Sequence, residues 1–127
     1  MSTNSFVLVV QEGDTEPTPI RYDQFVQRLF KVESHAGMLT HAALGIAGEA
    51  GEIVDAIKKH TIYGKPLDMA NIIEELGDLR FYMEAVMNLC NLSDQEVLQH
   101  NANKLAMRYK TLTYSSEAAI ERADKNV

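Results

Sequence analysis

The sequence predicts an all-α fold, a four-helix-bundle type of domain with a short N-terminal extension. Three observations carry this reading. Apolar residues recur at helical spacing from Tyr22 onward. Helix start and stop signals divide the chain at several points. The connections between those signals are short, which favours antiparallel neighbours in a bundle. A length of 127 residues with 46% apolar side chains suits one domain with a packed core.

Residues 6–10, FVLVV, are a short β-prone run. Gly13, Pro17 and Pro19 follow, so residues 1–20 read as an extension or small edge element. Phe25, Val26, Leu29 and Phe30 place a first helix after Tyr22. A long helix is expected over about 37–60. Lys58, Lys59 and His60 fill its last turn, where cations suit the helix dipole. Tyr63-Gly64-Lys65-Pro66 breaks it. Asp68 caps a third helix that runs to about Asn91, and Ser93-Asp94-Gln95-Glu96 is a capping box opening a fourth, which reaches about Tyr109. Ser115 or Ser116 starts a short last helix over 117–123. The expected division is an extension over 1–20, a helical domain over 21–112 and a short helix or tail over 113–127.

Twelve Lys+Arg against eighteen Asp+Glu give a net charge of −6. That balance argues against duplex nucleic acid or an anionic membrane held by bulk electrostatics. The single cysteine, Cys90, allows no intrachain disulfide and fits a reducing compartment. The N-terminus has no basic run before its short apolar stretch, and no apolar run approaches the ~20 residues needed to cross a bilayer. The expected location is the cytoplasm.

The chemistry lies in the placement of carboxylates. Glu49 and Glu52 sit one turn apart on one side of their helix. They lie at the edge of an arc formed by Ala43, Ile46, Ala47, Ala50, Ile53, Val54 and Ile57, with His41 and Lys59 near Glu52. On the next helix Glu75 falls inside the stripe of Ile72, Leu76, Leu79, Tyr82, Met83, Val86 and Cys90, and Asp78 at its border. Glu74, Gly77, Glu84 and Asn88 point the other way, toward solvent. An ionised carboxylate facing an apolar core costs several kcal/mol unless a cation compensates it. A lone Glu-x-x-Glu is usually a solvated face; two pairs on neighbouring helices point to a bound hard cation, Mg²⁺ or Mn²⁺. The set is all oxygen and lacks Cys or a Glu-x-x-His pair, which weakens zinc and di-iron readings.

Gly45, Gly48 and Gly51 in one helix, and Gly77 in the next, each cost about 1 kcal/mol relative to Ala. Their expected role is close approach of another helix or of a ligand. On the fourth helix Asn101, Lys104 and Arg108 fall within about 60° of one another. Lys as a point charge and Arg as a fork suit a phosphate.

Taken in order, His41-Ala-Ala-Leu-Gly-Ile-Ala-Gly-Glu49-Ala-Gly-Glu52, Lys58-Lys59-His60, Glu74-Glu75-Leu-Gly-Asp78 and Asn101-x-x-Lys104-Leu-x-x-x-Arg108-Tyr109 closely resemble the MazG-like nucleotide pyrophosphohydrolases of the all-α NTP pyrophosphatase superfamily. The resemblance spans about residues 22–122. It implies Mg²⁺-dependent hydrolysis of a nucleoside triphosphate to the monophosphate and pyrophosphate. It implies metal ligands and catalytic residues at Glu49, Glu52, Glu75 and Asp78. It implies a homodimer or a dimer of dimers. The expected substrate contacts are Lys59, Asn101, Lys104 and Arg108, with Glu52 the choice for general base.

This sequence departs from the family at Asn71, where some relatives carry a basic residue. It departs at Arg80, where an aliphatic residue is usual and a subunit contact is the expected reason, and at Tyr109-Lys110, which lacks a following proline. Three other readings share parts of the pattern. They are a phosphoribosyl-ATP pyrophosphohydrolase-like enzyme, a catalytically silent metal-binding helical dimer acting as an interaction module, and a nucleic-acid accessory factor, which the charge disfavours.

Overall fold

The computed structural model describes residues 5–31 and 34–125. The first four residues of the expected extension and the last two of the tail lie outside these. The chain forms two compact units, one ending at Asn91 and one beginning at Leu92.

The first unit starts with strands β1 (Phe6–Val9) and β2 (Thr18–Arg21), paired antiparallel with Phe6 opposite Arg21 and Leu8 opposite Pro19. The sequence marks β1 but not β2, because the Pro17 and Pro19 stretch reads as a breaker. The register explains how Pro19 is accommodated. Tyr22 N–H donates to Ser5 O at 2.8 Å, and hydrogen-bonded pairs alternate along an antiparallel ladder. Pro19 therefore occupies a position whose N–H would point away from β1, and its missing donor costs nothing.

Helix α1 (Tyr22–Leu29) follows β2 without a loop, and helices α2 (His35–Thr61) and α3 (Met69–Leu89) form a long hairpin. Ser34 Oγ accepts from Gly37 N–H and Asp68 Oδ1 from Asn71 N–H, each at 3.1 Å, so both helices start on side-chain caps. His60 Nδ1–H donates to Lys65 O at 2.7 Å across the turn, and His35 Nε2–H donates to Leu89 O at 2.9 Å at the far end. The first bond closes the turn after α2, and the second ties the start of α2 to the end of α3.

The core sits where α1 meets α2 and α3. Val26, Ala42 and Ala85 are buried together, ringed by Tyr22, Phe30, Phe81, Tyr82 and Val86. Phe30 meets Phe81 and Tyr82 edge to face at 6.0 and 6.3 Å, an arrangement aromatic quadrupoles favour. A Cβ added at Gly45 would lie 2.5 Å from the Tyr82 ring. The expected close approach is therefore real at Gly45. At Gly48, Gly51 and Gly77 an added Cβ meets nothing within 4 Å, so packing among the described residues does not account for those three.

Two expectations about helix faces are corrected. Glu84 does not face solvent: it is 2% exposed and accepts from Arg80 Nη2 at 2.9 Å. Asn88 Nδ2 donates to Asp23 O at 2.9 Å, and Arg80 stacks over the Tyr22 ring at 5.3 Å. The reason is α1, which packs against α3 and makes a polar seam there. Burial in that seam pushes the Tyr22 hydroxyl pKa up. Arg80, expected at a subunit contact, is thus engaged within its own chain.

On α2 the expected buried arc of Ala43, Ala47, Ala50 and Val54 is exposed. The helix turns Ala42, Gly45, Ile46, Glu49, Ile53 and Ala56 inward instead, because α3 lies on the glutamate side. Leu44 and Val54 are left 69% and 66% exposed. On α3, Met69, Ile73, Leu76 and Met83 form a second exposed apolar row.

The second unit holds α4 (Asp94–Arg108), α5 (Ser116–Glu121) and a 3-10 turn (Ala123–Lys125). Ser93 Oγ accepts from Glu96 N–H, and Ser115 Oγ from Ala118 N–H, both at 3.1 Å. Ser115, not Ser116, is the cap. The last helix ends at Glu121, two residues short of the expected 123, because Arg122 adopts φ 52° and stops it. No helix among the described residues is long and apolar enough to cross a membrane.

Candidate active site

The antiparallel α2–α3 pairing brings the two carboxylate motifs level with each other. Glu49 and Glu75 are half-buried and Asp78 is exposed. One oxygen from each of Glu49, Glu75 and Asp78 lies within 4.8 Å of the others. Glu52 is exposed and falls outside this cluster, one turn further along α2.

The electrostatics are those of crowded like charges. The Glu75 carboxyl pKa is raised above its ordinary value by a hydrogen bond with Glu49, by partial desolvation and by the charges of Glu49 and Asp78. Two carboxylates that share a proton cannot both ionise cheaply. A hard divalent cation replaces that proton with a better partner, and an all-oxygen donor set spaced like this one fits it. The three residues present therefore suit a Mg²⁺- or Mn²⁺-sized ion.

Lys59 lies in the last turns of α2. Its ammonium is 2.9 Å from Asp55 Oδ2, and that bond with the Asp55 charge raises its pKa; Glu52 contributes more weakly. Asp55 was not singled out by the sequence, although its i,i+4 spacing to Lys59 is a local signal for the pair. His41 sits against Phe30 and Tyr82, with ring centroids at 5.2 and 6.1 Å, as part of the aromatic packing around Gly45.

The cationic residues of the fourth helix belong to the second unit. Asn101 is exposed and Lys104 half-buried on α4. Arg108 ends that helix and is gripped by Asp124, with Nε to Oδ1 at 2.8 Å and Nη2 to Oδ2 at 3.3 Å. Nothing local in the sequence announces Asp124, which lies sixteen residues further on and depends on the turn after α5.

A family model for the MazG nucleotide pyrophosphohydrolase domain matches residues 39–113, more than half of the chain. The chain belongs to this family. The MazG match covers both carboxylate motifs and runs through Arg108, so it takes in α2, α3 and α4. The β1–β2 pair, α1, the first turn of α2 and the segment from Tyr114 onward lie outside it. No curated protein and no solved structure matches the chain.

Proposed function

We propose that this MazG-family chain is a Mg²⁺-dependent, cytoplasmic nucleoside triphosphate pyrophosphohydrolase, converting a (d)NTP to the (d)NMP and pyrophosphate. The observation that carries the reading is the convergence of Glu49, Glu75 and Asp78 to within 4.8 Å of one another in a family of nucleotide pyrophosphohydrolases. In this reading these three residues hold the ion. When bound, Mg²⁺ supplies the positive charge that lets an acidic site accept a polyphosphate and stabilises negative charge as the anhydride bond breaks. Glu52, one turn from Glu49 and outside the cluster, takes the proton of the attacking water as general base. Lys104, Arg108 and Asn101 bind phosphate oxygens, Lys104 as a point charge and Arg108 through its remaining N–H donors. Lys59, tied to Asp55, is the fourth substrate contact.

The functional form is a homodimer or homotetramer in which a second copy covers the exposed apolar faces of α2 and α3. Leu44, Val54, Ile73 and Leu76 are each at least half exposed, and apolar surface of that extent on adjacent helices marks an interaction site. The open space at Gly48 and Gly51 supports close approach of a helix from outside the chain.

The deciding experiment incubates the full chain with a panel of ribo-, deoxy- and modified triphosphates plus Mg²⁺ and detects pyrophosphate. Pyrophosphate and monophosphate in equal amounts, abolished by chelator, are expected. Release of orthophosphate instead, or no turnover with any member, overturns the proposal.

A further inference from the structure

Arg108 does not end α4 as a solvated cation. It is 16% exposed, and the Asp124 carboxylate beside it is 3% exposed. Asp124 engages the guanidinium from the side, through Nε–H and one Nη2–H. A side-chain hydrogen bond with Tyr109 engages the guanidinium further, and the donors of the five-donor fork that remain can meet another acceptor. Arg108 also lines a recess of about 250 Å³ in which Lys110 and the hydroxyls of Thr111, Thr113 and Ser115 stand beside one acid, Glu121. Lys125 approaches the outer Asp124 oxygen at 3.8 Å, so the carboxylate is held from two sides.

We infer that Asp124 is a positioning residue: by clamping Arg108 edge-on it presents the guanidinium to a phosphate group of the substrate, in a recess whose hydroxyls and Lys110 help to receive it. This rests on the reading above that Arg108 meets phosphate. A flexible Arg would lose rotamer freedom on binding an anion, whereas a clamped one has already lost it. The opposite role, a carboxylate that occupies the anion's place, predicts the opposite sign for its removal.

The test is calorimetric titration of the full chain with inorganic pyrophosphate in the presence of Mg²⁺, alongside steady-state kinetics. Arg108→Ala tests the underlying reading; unchanged affinity and unchanged KM remove Arg108 from the site, and Asp124 with it. If Arg108→Ala weakens binding, Asp124→Asn is expected to weaken it about 5- to 10-fold and to raise KM by the same factor, with kcat within about twofold. Asp124→Glu is expected to recover most of the affinity. Arg108→Lys, which keeps the charge but cannot be held by two parallel bonds, is expected to bind as weakly as Asp124→Asn. That variant decides the matter even where Asp124→Asn perturbs the C-terminal turn. Wild-type affinity in either Asp124→Asn or Arg108→Lys, or tighter binding in Asp124→Asn, overturns the inference while leaving the Arg108 reading intact.

Discussion

Single carboxyl groups in this protein respond to pH in opposite directions. The Glu75 pKa is raised in the folded chain, so its favourable contribution is present at low pH and is lost as pH rises from the ordinary value of 4.5 through the raised folded value. Asp124 and Asp55 are lowered by Arg108 and Lys59. Their contributions are present above the ordinary 3.8 and are lost as pH falls through the folded values. Thermal melts of the metal-free protein should therefore show a loss of stability at both ends of the acid range. Mg²⁺ should cancel only the loss on the higher-pH side. Glu75→Gln should remove that side of the profile, leave the helical spectrum intact and abolish Mg²⁺-dependent turnover. Near-normal turnover in that variant would take Glu75 out of the reaction.

At the level of helices, what the sequence disclosed depended on whether the cause was local. The caps at Asp68 and Ser93 and the break before Gly64 are set within a few residues and read correctly, and the last cap is narrowed to Ser115 or its neighbour. The motif spacing on α2 and α3 disclosed that the carboxylates of each pair share one side of their own helix, because helical periodicity is itself local. The direction in which α2 turns its apolar arc was not legible, because it depends on α3 taking the glutamate side. Nor was the burial of Glu84, which depends on α1 crossing a face that reads as polar. Glu84→Ala should cost about 2–3 kcal/mol by emptying a buried position and removing one hydrogen bond of Arg80, while Glu84→Met, which refills the space, should cost less. Urea denaturation of both variants checks this. Gly45→Ala should cost about 1–3 kcal/mol, because the Tyr82 ring it meets is fixed among Phe30, His41 and Phe81.

For the molecule as a whole, the small core is the informative quantity. Among the described residues the buried apolar set is Val26, Ala42, Ala56, Ala85 and Met87, little for two helices as long as α2 and α3. The proposed second copy supplies the rest. Leu44→Asp combined with Val54→Asp should convert the protein to monomers in sedimentation velocity and lower its melting temperature. Isolated monomers that retain both full stability and full turnover would refute a shared apolar interface. Gly48→Ala separates the same alternatives. On a solvated helix it should stabilise by up to about 1 kcal/mol, and beneath a tightly apposed helix it should destabilise instead. The proposed assembly requires the second outcome.

All three clustered carboxylates come from one helical hairpin, closed at its turn by His60 and at its base by His35. All three are thus synthesised before Leu92, ahead of the helix that bears Lys104 and Arg108. Under the proposed function, the means of capturing an ion would precede, during translation, the means of reading a phosphate. Pairings between neighbours in the chain form quickly, so the nascent polypeptide would be equipped for the cation before it is equipped for nucleotide.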